Sequence, residues 1–196
     1  MSAKPLHLGH YKLIELAAEQ CDSVNVFVST SDRKRPGEIP ILGTTMHRIW
    51  LEEIEPTLPS NVNIVYGGSP VQKVYQILGD ANIDNSNDDE FIVYSDPVDT
   101  EANFPVNKRE KYFSRLWSEN RVKFETVDRS LTAGISGTKM RQFLAAGDKE
   151  AFKRGLPRMI NAERVWQLLR SDINEGRNVL RSFITSIISM PRVHRS

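Results

Sequence analysis

The chain has 196 residues, with 26 lysines and arginines against 25 aspartates and glutamates, so its net charge is +1. This balance argues against a protein that mainly coats nucleic acid. The one cysteine cannot form an internal disulfide, and the sequence contains no CxxC, HExxH or paired-histidine metal motif. We therefore expect a cytoplasmic protein in a reducing compartment, without a metal held by its own side chains. No apolar run is long enough to span a bilayer, so we expect no membrane partner.

The predicted elements alternate between helices and strands. Apolar residues at helical spacing predict a helix over Tyr11–Gln20. Segments rich in β-branched and aromatic residues predict strands at Val24–Val28, Val62–Tyr66, Phe91–Tyr94 and Val122–Val127. Further helices are predicted from a Thr44 or Thr45 cap to Pro56, from Ser69 through Leu78, over Lys108–Glu119, from Ser136 through Ala146, and over Ala162–Leu169. This alternation predicts an α/β fold in which crossover helices connect parallel strands.

A His-Leu-Gly-His stretch stands at the start of the first predicted helix. His7 and His10 are three positions apart, which places both rings on one face of the first turn. A helix N-terminus offers free N–H groups and a positive dipole end, and Gly9 leaves room for a ligand to approach. Two surface histidines at a helix start are the alternative interpretation.

The second stretch is Ile-Ser-Gly-Thr-Lys-Met-Arg at 135–141. Ser136 is a favourable N-cap, and Thr138 lies in the first turn, so hydroxyls and free N–H groups can hold phosphate oxygens. Arg141 shares a face with Thr138 and provides a planar fork that suits phosphate. Alone, this stretch is more typical of an ordinary capped helix with a solvated arginine than of a phosphate site.

Together, the two stretches resemble the two signatures of the nucleotidyltransferase superfamily, closest in style to nicotinamide mononucleotide adenylyltransferases. The resemblance spans Lys4 to Pro157 and implies a Rossmann-like open parallel sheet with flanking helices and ATP between the motifs. It implies that His7 and His10 contact the triphosphate, with His10 nearest the reacting phosphorus. It also implies a nucleotide site that includes Lys4, Gly9, Ser136, Thr138 and Arg141. Mg²⁺ normally accompanies such nucleotides.

The sequence departs from the family at its start, where no strand runs into the His motif. Only residues 1–6 precede that motif, and Lys4-Pro5 cannot form a central strand. Either the start lies downstream of the natural one, or another segment fills the gap, with Phe183–Met190 the best candidate. We expect a nucleotidyltransferase domain over 1–157 and a helical extension over 158–196, packed on or beside it.

Other residues carry weaker signals. Asp96 follows a predicted strand, where ligands bind in such sheets, but it equally suits a turn before proline. Arg109 resembles an acceptor-side residue of the nicotinamide mononucleotide enzymes. Arg33-Lys34-Arg35 either contacts phosphate or is a solvated loop.

The expected activity is transfer of AMP from ATP to a phosphorylated small molecule, with nicotinamide mononucleotide as the first acceptor to try. Arg141 favours this adenylyl branch. Gly134 before Ile135-Ser136 favours a cytidylyltransferase that uses CTP, although the Arg-Thr-Glu lead-in of that branch is absent. A third hypothesis is a non-catalytic relative that binds nucleotide or a partner protein. The oligomeric state, including a homo-oligomer, stays open.

Overall fold

The computed structural model describes residues 3–84, 86, 88–126 and 134–173. Within these ranges the chain forms four short strands: β1 (Val24–Val28), β2 (Val62–Tyr66), β3 (Phe91–Ser95) and β4 (Val122–Thr126). The helices are α1 (Leu8–Gln20), α2 (Gly43–Ile49), α3 (Pro70–Ile83), α4 (Pro97–Asn103), α5 (Val106–Tyr112), α6 (Ser114–Ser118), α7 (Gly137–Ala146), α8 (Lys149–Arg154) and α9 (162–173).

The strands form two parallel pairs. Val24 to Val28 of β1 lie opposite Val62 to Tyr66 of β2, and Phe91 to Ser95 of β3 lie opposite Val122 to Thr126 of β4. Helices connect the strands of each pair, as parallel pairing requires. The predicted α/β fold with parallel strands and flanking helices is confirmed.

No backbone ladder connects the two strand pairs within the described ranges. The first strand that the resemblance implies would lie between the two pairs and would pair with both neighbours. Segment Phe183–Met190, the predicted substitute for that strand, lies outside the described residues together with the rest of 174–196. The final residue of the predicted fourth strand, Val127, also falls outside them.

The buried apolar side chains of the described chain form two clusters, one around each strand pair. The larger cluster contains residues of α1, β1, α2, α7, α8 and α9, including Ile14, Val28, Ile49, Leu144, Phe152 and Leu169. The smaller cluster lies between α3, α6 and the β3–β4 pair and includes Leu78, Phe113 and Leu116. Burial of these side chains is the main force that holds each set together. Because α1 and α7 pack in the same cluster, the two motifs that begin them belong to one unit.

The C-terminal helix α9 also belongs to the larger cluster. Val165, Leu169 and Ile173 are 5% exposed or less and pack with Leu6 and Phe152 from the preceding chain. Residues 162–173 therefore share the core that supports the two motifs. The predicted domain boundary at residue 157 stays a prediction.

Several helix boundaries differ from those predicted. Leu42, not Thr44 or Thr45, is the N-cap of α2, and no side chain makes the capping hydrogen bond. The helix continues through a π-helical turn over Trp50–Ile54, and Pro56 lies inside a closing 3₁₀ turn. The predicted helix over Lys108–Glu119 is two helices, because Phe113 leaves the helical conformation at φ −145°, ψ 51° and buries its ring completely. Helices α4 and α8 were not predicted.

No helix within the described ranges is long and apolar enough to cross a membrane.

Candidate functional site

The first helix begins with the two histidines in contact. His7 is the N-cap of α1, and its Nδ1 accepts a hydrogen bond from the Gly9 backbone N–H at 3.1 Å. The His7 and His10 rings lie 3.8 Å apart between centroids, tilted by 34°. The three-residue spacing has therefore placed both rings on one face, as predicted. Because Nδ1 of His7 accepts, its neutral ring carries the proton on Nε2.

The backbone N–H groups at this helix start are not free, which corrects the expectation of an anion-binding tip. Leu8 N–H donates to the Gly155 carbonyl at 2.8 Å, and Gly9 N–H donates to His7. The N–H groups of His10 and Tyr11 both donate to the His7 carbonyl, at 3.0 and 3.2 Å. Any anion here would have to be held by the imidazoles rather than by the backbone.

The surroundings of the His10 ring favour its uncharged form. Burial, and next the adjacent His7, lower its pKa well below the usual 6.5. Its Nδ1 is buried and has no hydrogen-bond partner within the described chain. An unpaired buried polar atom costs free energy, on the order of 1–3 kcal/mol. A ligand that hydrogen-bonds to this ring nitrogen would remove that cost.

The start of α7 differs from that of α1 because it keeps free backbone donors. Ser136 is the N-cap, and its Oγ accepts from the Lys139 N–H at 3.2 Å, as predicted. The N–H groups of Gly137 and Thr138 have no acceptor within the described ranges. These two donors and the helix dipole make the α7 tip the anion-receptive end of the pair.

Arg141 folds back over the α7 tip and connects it to the chain before the His motif. Its side chain is 7% exposed. Nη1 donates to the Lys4 carbonyl at 3.0 Å, and Nη2 donates to Thr138 Oγ1 at 3.0 Å. Gly137 leaves room for the guanidinium, because an added Cβ there would lie 3.2 Å from Nη1. Since His7 follows Lys4 by three residues, chain geometry keeps their Cα atoms within about 11 Å.

Lys4 is buried, although lysine is usually exposed. Its Nζ lies 3.4 Å from Ser29 Oγ and 3.5 Å from Ser31 Oγ, just after β1. Burial is the largest influence on its pKa and lowers it, while Asp32 opposes that shift. The predicted nucleotide-site residue thus lies at the end of β1, where ligands bind in parallel sheets.

Glu38 is a site residue that the sequence reasoning missed. Its carboxylate pairs with Arg33, with Nε to Oε2 at 2.9 Å and Nη2 to Oε1 at 3.2 Å. The same carboxylate pairs with Arg141, with Nη2 to Oε1 at 3.2 Å and Nε to Oε2 at 3.1 Å. The Arg33 pairing, and more weakly Arg141, lower the pKa of Glu38, so it is charged at neutral pH. The available signal was one acidic residue three positions after a run of basic ones.

The two weaker candidates lie elsewhere. Asp96 is the N-cap of α4, and its carboxylate accepts from the Val98 N–H at 3.0 Å. Arg109 places its guanidinium 4.0 Å from the Phe124 ring centroid and 5.0 Å from that of Trp117, and its Nε donates to the Phe104 carbonyl. Each side chain therefore has a structural contact of its own, and a substrate role for either stays a prediction.

Comparison with known proteins gives one partial match. A family model described as the citrate lyase ligase C-terminal domain matches residues 1–38. The matched stretch contains the His motif and ends at Glu38, and it does not include α7. No curated protein and no solved structure gives a significant match to the chain.

Proposed function

We propose that this protein is an adenylyltransferase that transfers AMP from ATP to a phosphorylated small molecule and releases pyrophosphate. Nicotinamide mononucleotide is the first acceptor to test. The proposed site residues are Lys4, His7, Gly9, His10, Ser136, Thr138 and Arg141. We propose a cytoplasmic protein whose partners are these small molecules, with self-association left open.

One observation carries the proposal: Arg141 donates to the Lys4 carbonyl at 3.0 Å and so brings the second motif beside the first. Two free backbone donors at the α7 tip lie next to the buried guanidinium of Arg141. The Lys4 carbonyl, three residues before His7, lies close to both the guanidinium and Gly137. Such a grouping of donors and positive charge suits a polyphosphate. The family description over residues 1–38 names a ligase domain, which is compatible with chemistry that activates one substrate with a nucleotide.

The chemistry needs positioning and charge more than covalent help. An oxygen of the acceptor phosphate forms a bond to the α-phosphorus of ATP, and the bond from that phosphorus to the β-bridging oxygen breaks. Pyrophosphate leaves with the electron pair. We assign His10 to the α-phosphate, where a neutral imidazole donates a hydrogen bond to the developing charge. We assign Ser136, Thr138 and Arg141 to the β- and γ-phosphates, which become the leaving group.

Mg²⁺ enters this proposal as the companion of ATP, held by phosphate oxygens and water. The described residues contain no group of three or more histidine, cysteine or carboxylate side chains placed to hold a metal. When bound, the ion would supply positive charge to the phosphates. The protein residues would then orient the nucleotide through hydrogen bonds.

The test is pyrophosphate release from ATP or CTP, each with and without nicotinamide mononucleotide and Mg²⁺. Acceptor-dependent release from ATP supports the proposal. Release from CTP alone, or equally from both nucleotides, would assign the protein to the cytidylyl branch, which Gly134 favours. ATP binding without release for any phosphorylated acceptor in a panel would indicate a non-catalytic binding protein.

A further inference from the structure

The ion-pair cluster around Glu38 is the strongest feature that the proposed function leaves unexplained. Two arginines from distant parts of the chain share one carboxylate. Arg33 hydrogen-bonds to it through two nitrogens, and Arg141 hydrogen-bonds through Nη2 while its Nε lies within ion-pair distance. Arg33 precedes Glu38 in a basic hairpin, defined here as residues 32–41, and Arg141 comes from α7. Two guanidinium groups that converge on one acceptor form a site for an anion.

The charge of the surrounding region exceeds what Glu38 neutralises. The basic hairpin together with Lys4 and Arg141 carries five cationic side chains and two carboxylates. Burial is the largest influence that lowers the pKa of Arg141, the positive charges of Arg33 and Arg35 lower it further, and Glu38 opposes them. A carboxylate provides one negative charge and two oxygens, whereas a terminal phosphate provides up to two charges and three oxygens. The paired guanidiniums therefore match a phosphate better than they match Glu38.

The two arginines are fixed, whereas the carboxylate is carried on an exposed turn. Arg33 pairs with buried Ile41 through both backbone hydrogen bonds, at 2.8 and 3.0 Å. Beside it, Asp32 accepts from the Gly43 N–H at 2.8 Å, which anchors the hairpin to α2. Residues 34–37 at the turn are exposed, and Gly37 (φ +76°) has no heavy atom within 4 Å of an added Cβ. The turn is held by the Glu38 N–H bond to the Arg35 carbonyl at 3.1 Å and by an exposed Lys34–Asp32 ion pair, and contacts of this kind resist movement weakly.

We propose that Arg33 and Arg141 together bind the terminal phosphate of a polyphosphate, and that Glu38 occupies this position until the polyphosphate displaces it. The Glu38 carboxylate then competes with the terminal phosphate for the two arginines. Arg33 is a phosphate-binding residue outside both motifs. The inference rests on the proposed function, because that function supplies the polyphosphate. It adds that Arg33 and Arg141 bind the terminal phosphate and that this phosphate must displace the Glu38 carboxylate.

The experiment measures binding of inorganic tripolyphosphate to the full chain by calorimetry at one fixed ionic strength. The variants are Glu38→Gln, Arg33→Gln, the double variant that combines these two changes, and Arg141→Gln. Glu19→Gln changes an exposed carboxylate near the end of α1, and Arg35→Gln removes a neighbouring exposed charge without breaking a described contact. These two are the matched controls. Circular dichroism verifies folding, and Glu38→Asp, whose shorter carboxylate cannot reach both arginines, replaces Glu38→Gln if that variant unfolds.

Glu38→Gln is expected to tighten tripolyphosphate binding about fivefold, the upper range for releasing a partly exposed ion pair. Arg33→Gln is expected to weaken it about tenfold, as expected when a charged hydrogen bond is lost, and to abolish most of the gain from Glu38→Gln. Glu19→Gln should change it less than about twofold, and Arg35→Gln should weaken it less than Arg33→Gln does. Unchanged or weaker binding in the folded single variant at Glu38, or an Arg33 effect no larger than that of Arg35, overturns the inference.

The same measurements separate this inference from the proposed function. Loss of binding in Arg141→Gln alone, with no effect at Arg33 or Glu38, leaves the proposed function standing and refutes the displacement. Tighter binding in Glu38→Gln, without pyrophosphate release from any nucleotide, supports the displacement and refutes the transferase. A chain that binds no tripolyphosphate in any variant refutes the displacement, and pyrophosphate release then decides the proposed function on its own.

Discussion

Arg141 donates through Nη1 to the backbone carbonyl of Lys4 at 3.0 Å, across 137 positions of sequence. A hydrogen bond from a buried charged donor to a backbone acceptor fixes position more strictly than a pairing of exposed side chains does. The α7 tip and the chain before the His motif are therefore held together independently of any ligand. If the proposed site binds a ligand, an arrangement preformed in this way avoids much of the entropic cost of binding.

Replacement of His10 by alanine should mainly affect turnover. Loss of one preorganised donor lowers kcat by about 10²–10³-fold. The free energy of unfolding should change by less than about 1 kcal/mol, because the removed ring nitrogen has no partner to lose. Steady-state pyrophosphate release and urea denaturation measure the two quantities. His47→Ala, which removes a histidine that contacts Tyr66, is the control. Normal turnover in His10→Ala would remove His10 from the proposed chemistry.

Arg141→Lys should weaken triphosphate binding and also destabilise the fold. A lysine ammonium cannot replace contacts to Lys4, Thr138 and Glu38 from one planar group. We expect a loss of about 1–3 kcal/mol in the free energy of unfolding, because the Lys4 carbonyl loses its buried donor. Thermal melts and calorimetry with ATP measure both effects. Arg164→Lys, at an exposed pair with Glu52, should change neither, and equal behaviour of the two variants would contradict the prediction.

The pKa of His10 predicts how stability depends on pH. Its pKa is lowered in the folded chain, so below about pH 6.5 the unfolded chain binds the proton first. Acidification from about pH 7.5 to about 5.5 should therefore reduce the free energy of unfolding, by up to about 1.4 kcal/mol per pH unit below 6.5. The loss is complete when the pH reaches the folded-state pKa. Urea titrations of the wild type and His10→Ala measure it, and identical pH profiles would refute it.

Alanine at two helix glycines should change the free energy of unfolding in opposite directions. Gly147 ends α7 at φ +74°, and Gly79 lies inside α3, with open space around an added Cβ at both positions. Gly147→Ala should lower the free energy of unfolding by about 1 kcal/mol, because alanine is strained at positive φ. Gly79→Ala should raise it by about 0.5–1 kcal/mol through helix propensity. Thermal denaturation of both variants checks the pair, and the same sign in both would contradict it.

Arg109→Ala separates a packing role from an acceptor-binding role. The guanidinium lies over Phe124 and Trp117 and donates to the Phe104 carbonyl, so its removal should cost about 1–2 kcal/mol of stability. If packing is its whole role, the KM for the acceptor is unchanged in the folded variant. A large rise in KM with little change in stability would instead support the acceptor contact that the resemblance implies.

The local elements were predictable because local chemistry decides them. Ser136 and Ser69 cap their helices through their own hydroxyls, and Gly147 ends α7 because it tolerates a left-handed backbone. Contacts between distant segments decided the rest. The break between α5 and α6 was hidden because the burial of Phe113 overrides helix propensity. Likewise, the loss of free N–H groups at α1 depends on the Gly155 carbonyl, which no local pattern reveals.

By itself, the sequence determined the alternation of helices and strands, the parallel connections and the paired histidines, since spacing and capping act over a few residues. Only the tertiary structure decided which helix tip keeps free donors, and that Glu38 lies between Arg33 and Arg141. An ion pair depends on where the packing of α7 and of the basic hairpin places its partners in space. The order of charged residues along the chain does not determine how far apart those partners lie in the folded protein.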